Sequence, residues 1–86
     1  NVVLSNLTMR PNPSNEMAYV TFNGMESNVA VMVLDAMGRA VYRNSYEVVD
    51  GSKGIWIPTE SLSNGLYQVR IACGKGVSTL GLQVVH

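Results

Sequence analysis

The sequence has 86 residues, 47% of them hydrophobic and 14% charged, and this length suits one domain spanning residues 1–86. The hydrophobic content argues against intrinsic disorder, and the single cysteine excludes an internal disulfide. Six basic residues balance six acidic ones, so the chain lacks the basic footprint that nucleic-acid binding requires.

Apolar residues recur with a period of two along most of the chain, which predicts short β-strands rather than helices. Ala18, Val20 and Phe22 share one face of an alternating segment at residues 17–22. Residues 28–35 are apolar on both faces, a pattern typical of a central strand covered on two sides. We predict seven strands, near residues 1–9, 17–22, 28–35, 39–46, 53–58, 65–73 and 76–85.

The later strands allow buried faces to be assigned. For residues 39–46 the pattern leaves open whether Val41 or the pair Ala40 and Tyr42 is buried. Residues 65–73 and 76–85 alternate more clearly. We expect six of their side chains to build the interior: Tyr67, Val69, Ile71, Leu80, Leu82 and Val84.

Turn residues separate these segments at regular intervals. Asp35 opens the sequence DAMG, where its carboxylate can accept backbone amide hydrogens and Gly38 can adopt a positive φ. NG at 23–24 and 64–65 and DG at 50–51 are expected to supply positive φ, and GKG at 74–76 to close a hairpin. These features predict an all-β fold, a seven-stranded antiparallel immunoglobulin-like β-sandwich with Greek-key connections.

Pro11 and Pro13 flank Asn12 between the first two predicted strands. Neither proline has an amide hydrogen to donate to a sheet, and each biases the preceding residue toward extended conformations. We expect a stiff connector that lets the first strand cross to the other sheet instead of forming a hairpin. Such a connector would also blunt an edge that could recruit another chain.

No set of residues in the sequence suggests catalysis. His86 is the only histidine and lies on a terminus expected to fray, while Cys73 is expected to be a small buried hydrophobe. A metal site would need further ligands, so we expect no metal, no cofactor and no enzymatic activity. Tyr19 and Trp56 could belong to a stacking platform, but core or rim packing is the expected use.

Three segments, taken in order, closely resemble one family. They are RPNPSNEMAYVTF (10–22), VAVMVLDAMGRAVYR (29–43) and IPTESLSNGLYQVRIACGKGVSTLGLQVV (57–85). The matching motif residues are Pro11, Asn12, Pro13, Asp35, Gly38, Arg39, Leu62, Gly65 and Tyr67. The family is the C-terminal sorting domain (type A) of the type IX, or Por, secretion system of Bacteroidetes. Its members commonly end in a lysine-bearing strand, whereas this sequence closes with LGLQVVH.

The resemblance implies a secretion signal carried by a longer protein. The parent would enter the periplasm, and the outer-membrane translocon with its shuttle proteins would then recognise this domain. In typical members a sortase-like peptidase removes the domain and joins the cargo to anionic lipopolysaccharide, so the product is found at the cell surface, in the outer membrane or outside the cell. Besides the motif residues, the closing segment is expected to be recognised: Leu82, Gln83, Val84, Val85 and His86.

Other interpretations remain open. Because the sequence shows neither an initiator methionine nor a signal peptide, we expect a fragment of a longer secreted or surface protein. An immunoglobulin- or fibronectin-like spacer or adhesion module would have a similar composition. A last strand at a sheet edge could pair with a receptor by strand addition, with Val85 as an outward apolar contact, or it could form a homodimer.

Overall fold

The structure is a computed structural model that describes residues 7–10, 16–74 and 76–86. Within these ranges the chain forms strands and no helix, as the alternation predicts. The strands are β1 (Thr8–Arg10), β2 (Met17–Thr21), β3 (Met25–Leu34), β4 (Ala40–Asp50), β5 (Ile55–Pro58), β6 (Gly65–Cys73) and β7 (Gly76–Val84). The all-β prediction is therefore confirmed, and each strand overlaps a segment expected from the sequence.

Two antiparallel sheets form the two layers of a sandwich. The three-stranded sheet has the order β1-β2-β5, and the four-stranded sheet has the order β4-β3-β6-β7. The chain changes sheet between β2 and β3, between β4 and β5, and between β5 and β6. This arrangement agrees with the expected immunoglobulin-like sandwich, while the Greek-key connections stay a prediction.

The core lies between the two sheets and takes side chains from both. The alternation of β6 and β7 is confirmed, with Tyr67 and Leu80 half-buried at the margin of the core. In β4 the buried side is that of Tyr42, which packs against the core, whereas Val41 is exposed. The buried core residues are Ala18, Val20, Phe22, Val29, Val31, Val33, Val49, Ile55, Ile57, Val69, Ile71, Leu82 and Val84.

The central strand β3 differs from its prediction. It lies between β4 and β6 as expected, but it is not covered on two sides, since Ala30 is exposed and Met32 is half-buried on its outer face. The reason is that a two-layer sandwich covers only one face of each sheet. The apolar outer residues of β3 therefore form part of an open face of the domain.

The path of β1 corrects the expectation for the proline connector. β1 does not cross to the other sheet but pairs antiparallel with β2, with Thr8 opposite Thr21 and Arg10 opposite Tyr19. Residues 11–15, which include Asn12, lie outside the described residues.

Two turns show different uses of glycine. Gly38 has φ +82° and ends the DAMG turn beside a bulge in β3, as predicted. In the β4–β5 connection the positive φ belongs to Gly54, at +82°, and not to Gly51. Gly51 is needed for another reason, because a Cβ there would overlap the carbonyl oxygen and the ring of Phe22.

Candidate functional site

Most of the motif residues found in the sequence converge on one end of the sandwich. β3 ends where β6 begins, with Leu34 opposite Gln68, and β7 ends beside the first residue of β6, with Val84 opposite Gly65. Residues 35–39, 59–67 and 82–86 therefore share one end, which we call the motif end. The antiparallel register alone brings together segments that are far apart in sequence.

The Asp35 turn is held by hydrogen bonds of its own. Asp35 Oδ1 accepts the backbone N–H groups of Met37 and Arg39, both at 2.9 Å, and Arg39 Nε donates to Asp35 Oδ2 at 3.2 Å. The hydrogen bond from the Arg39 backbone is the main reason why the pKa of Asp35 lies below its ordinary value. Asp35, Gly38 and Arg39 thus form a closed unit that fixes the shape of this turn.

Tyr67 fixes the loop that precedes β6. Its ring packs against the core, and its hydroxyl donates to the carbonyl oxygen of Ser63 at 2.7 Å. A tyrosine near the start of a strand that bonds to the backbone a few residues upstream is a feature of immunoglobulin-like sandwiches. Gly65, which belongs to the same motif as Leu62 and Tyr67, is the first residue of β6 and follows this loop directly.

His86 is anchored rather than frayed, so the expectation for the last residue is wrong. Its backbone N–H donates to Asn64 Oδ1 at 2.9 Å, and its Nε2 lies 2.6 Å from the carbonyl oxygen of Leu62. The loop at residues 62–64 supplies these acceptors, and the sequence pattern could not reveal that it lies beside the end of β7. Tyr67 and His86 therefore hold the same loop from two sides.

The end of the proline connector reaches the same region. The carbonyl oxygen of Glu16 accepts the N–H of Thr59 at 2.9 Å, and Thr59 O accepts the N–H of Leu62 at 3.1 Å. These two hydrogen bonds place Glu16 beside the motif end. Pro11, Asn12 and Pro13 precede Glu16 but lie outside the described residues, so their part in this surface stays a prediction.

The closing segment divides into buried and exposed residues. Leu82 and Val84 are buried in the core, whereas Gln83 and Val85 are exposed, Val85 by 45%. Gln83 lies opposite Leu66, which is 68% exposed on the outer face of the four-stranded sheet. Leu66 is not among the residues expected from the sequence, although its position on the outward side of β6, with Gln68 and Arg70, could have indicated it.

The described residues also bear on a metal site, on Cys73 and on Trp56. Within residues 7–10, 16–74 and 76–86, no three His, Cys, Asp or Glu side chains form a group that could hold a metal ion. Cys73 is half-buried against the core. Trp56 departs from the expected packing, because 57% of it is exposed on the outer face of the three-stranded sheet. The described residues also contain no helix with the length and hydropathy that crossing a bilayer requires.

Comparison with known proteins identifies the family. The model of the family described as "Secretion system C-terminal sorting domain" matches residues 8–84, almost the whole chain. No curated protein matches the sequence. The match confirms the resemblance noted in the three motif segments, and it shows that the domain is a signal for export to the cell surface or the medium. The chain belongs to the family of C-terminal sorting domains of the type IX secretion system.

Proposed function

We propose that this domain is the folded, non-catalytic export address of a longer protein, and that the type IX outer-membrane translocon and its shuttle proteins bind it at the β7 edge beside the motif end. The observation that carries this proposal is the composition of β7. Its nine residues, Gly76–Val84, include no charged side chain, and among the described strands it lies at the edge of the four-stranded sheet.

Of the four edge strands among the described residues, β7 is the best suited to contact another chain. β1 has three residues, and β5 has four and ends in a proline, so both offer few backbone groups for pairing. β4 has eleven residues but includes Arg43 and Glu47. Charged side chains on an edge strand disfavour contact with another chain, and an uncharged strand favours it.

The exposed side chains near β7 would form the contact with the partner. Leu66, Gln83 and Val85 lie together on the outward side of β6 and the closing segment. Leu66 and Val85 would supply apolar contact area to the partner, since exposed apolar side chains on an open face commonly mark an interaction surface. The motif residues Asp35, Gly38, Arg39, Gly65 and Tyr67 would act by holding this end in shape.

The export route that we propose for the parent protein is the one typical of the family. The parent protein would cross the periplasm, pass the outer membrane, and then be met by a sortase-like peptidase. That peptidase would remove residues 1–86 and join the cargo to anionic lipopolysaccharide. A homodimer formed through β7 would occupy the edge that the translocon needs, so dimerisation and export are expected to compete.

A reporter fusion tests this proposal in cells. Residues 1–86 are fused behind a periplasm-directed fluorescent protein in a bacterium with a working type IX system. Deleting residues 82–86 would be a poor test, because Leu82 and Val84 are buried and the truncated domain would unfold. Thr79→Lys is a sharper variant, since Thr79 is exposed on β7. Ser45→Lys is its matched control, since Ser45 is exposed on β4.

Export is expected for the unchanged fusion and for Ser45→Lys, and it should fall at least about tenfold for Thr79→Lys. Both lysine variants should unfold within about 0.5 kcal/mol of the unchanged domain, because both positions are exposed. Equal export of the two variants would exclude β7 as the contact strand. Export that persists in a translocon-deficient strain would contradict the type IX route and favour a spacer or adhesion module.

A further inference from the structure

The outer face of the three-stranded sheet carries an aromatic row that the export role does not use. Arg10, Tyr19 and Trp56 lie opposite one another on β1, β2 and β5. Trp56 is the only tryptophan of the chain and is largely exposed. A large exposed aromatic ring on an open sheet face commonly marks a binding surface.

The two rings of this row are held in place before any ligand arrives. The ring centroids of Tyr19 and Trp56 are 4.3 Å apart, with 42° between the ring planes. The Tyr19 hydroxyl donates to the carbonyl oxygen of Lys53 at 2.5 Å. Gly54 lies so close to the Tyr19 ring that a Cβ at residue 54 would overlap it. Binding to a surface that is already ordered loses little conformational entropy.

Polar groups border the aromatic row on one side. The hydroxyls of Thr8 and Thr21 lie 2.7 Å apart, one step along the same face of β1 and β2. A shallow depression of about 490 Å³ extends from Arg10 past these threonines to Asn23 and Ser52. Hydroxyl, amide and guanidinium groups supply the donors and acceptors that sugar hydroxyls require.

The charge beside the rings is positive. Arg10 is exposed in the aromatic row, and Lys53 belongs to the loop that receives the Tyr19 hydroxyl. Asp50, the carboxylate of that loop, already accepts the N–H of Ser52 at 3.0 Å and its hydroxyl at 2.7 Å. A ligand that carries a carboxylate would therefore complement this face, and Arg10 could hold it through two parallel hydrogen bonds.

We propose that the aromatic row is a binding site for an acidic glycan. The C–H groups on one face of a pyranose ring would stack on Trp56, since an aromatic face is electron-rich. The Arg10 guanidinium would bind the carboxylate of a uronic acid, and the threonine hydroxyls would bind neighbouring sugar hydroxyls. A single-stranded nucleic acid is disfavoured, because it needs a basic track along several phosphates and the chain has no net charge.

The intrinsic fluorescence of Trp56 reports on this site directly, since the chain has no other tryptophan. The purified 86-residue chain is titrated with polygalacturonate, with neutral pullulan and with single-stranded DNA. A saturable fluorescence change is expected with polygalacturonate, and a weaker or absent change with the other two. Arg10→Gln should weaken polygalacturonate binding about fivefold or more and remove the preference over pullulan.

Calorimetric titration extends the test to a variant without the indole. Trp56→Ala should lower the affinity for polygalacturonate at least about tenfold, because ring stacking contributes most of the contact. Val48→Ala, an exposed change on β4 of the other sheet, should bind normally, and both variants should unfold in a single cooperative transition. Binding that survives Trp56→Ala would overturn the proposal, as would no binding at all or equal binding of DNA.

Self-association is the remaining competing occupant of this face. Sedimentation at increasing protein concentration should show a monomer or a dimer that is unaffected by Trp56→Ala. A dimer that disappears in Trp56→Ala would overturn the glycan site in favour of an interface between copies. The result is independent of the export role, because binding is measured on the purified chain and export in cells.

Discussion

The two long edges of the four-stranded sheet differ in how they are protected from other chains. β4 includes Arg43 and Glu47, and its Asn44 donates to the hydroxyls of Tyr42 and Tyr46. β7 has no charged residue, and the anchored residue His86 lies two positions after its end. Natural sheets place charges on edges that must stay unpaired. The difference supports the proposal that a partner contacts this sheet at β7 and not at β4.

The largest expected effect comes from a substitution in the core, which stabilises both edges of the four-stranded sheet. Ile71 is fully buried on β6, which lies between β3 and β7. Ile71→Ala should lower the free energy of unfolding by about 2–5 kcal/mol, because it leaves a cavity in the core. Denaturant unfolding measures this change. Val48→Ala, at an exposed position of β4, is the control, and an equal effect of the two changes would refute the core assignment.

Tyr67→Phe acts on the β7 side of the sheet alone. It removes the hydroxyl that donates to Ser63 at 2.7 Å, and it should cost about 0.5–1.5 kcal/mol in unfolding free energy. Amide hydrogen exchange should become faster in residues 62–64. Tyr42→Phe on β4 should cost less, because its contact with Asn44 is long, at 3.4 Å. A larger loss for Tyr42→Phe would reverse the comparison.

Asn28 affects the pairing of β3 with β4. It has φ +54° and lies on β3 between Ser27 and Val29, which both pair with residues of β4. Asparagine and glycine tolerate this left-handed conformation better than alanine does. Asn28→Ala should therefore lower the unfolding free energy by up to about 1 kcal/mol, while Asn28→Gly should change it by a few tenths. Thermal unfolding of the two variants measures these losses. Equal midpoints for Asn28→Ala and Asn28→Gly would show that this conformation is not strained.

The smallest expected effect is the pH dependence of folding stability that Asp35 causes at the motif end. Hydrogen bonding holds the pKa of Asp35 below its ordinary value of 3.8, so the ionised form stabilises the fold. This contribution is present above the unfolded pKa and is lost as the pH falls through the folded pKa. Stability should therefore decline below about pH 4, and Asp35→Asn should make the decline less steep. Unfolding midpoints of both chains between about pH 2 and 7 measure this decline in stability. An equally steep decline in the unchanged chain and in Asp35→Asn would contradict the prediction.

Local alternation predicted the strands and their buried faces well. β6 and β7 followed the pattern because each buries one face, so Val69, Ile71 and Leu82 had to lie on the same side. The DAMG turn was equally predictable, since Asp35 and Gly38 stabilise it through contacts within five residues.

Features that depend on distant partners could not be predicted in this way. The open outer face at Ala30 and Met32 depends on the number of layers in the fold, which a strand pattern does not report. The anchoring of His86 requires the loop at residues 62–64, more than twenty residues earlier. Likewise, the exposure of Trp56 follows from which sheet face is left open.

Site-specific photo-crosslinking tests the central claim most directly. A photoreactive amino acid replaces Thr79 on β7 or Ser45 on β4, in the fusion expressed in cells with a working type IX system. Both positions are exposed, so each variant should fold and accumulate. Recognition through β7 predicts crosslinks to an outer-membrane component of the system from residue 79 and none from residue 45. Crosslinks from residue 45 alone, or equally from both, would contradict it.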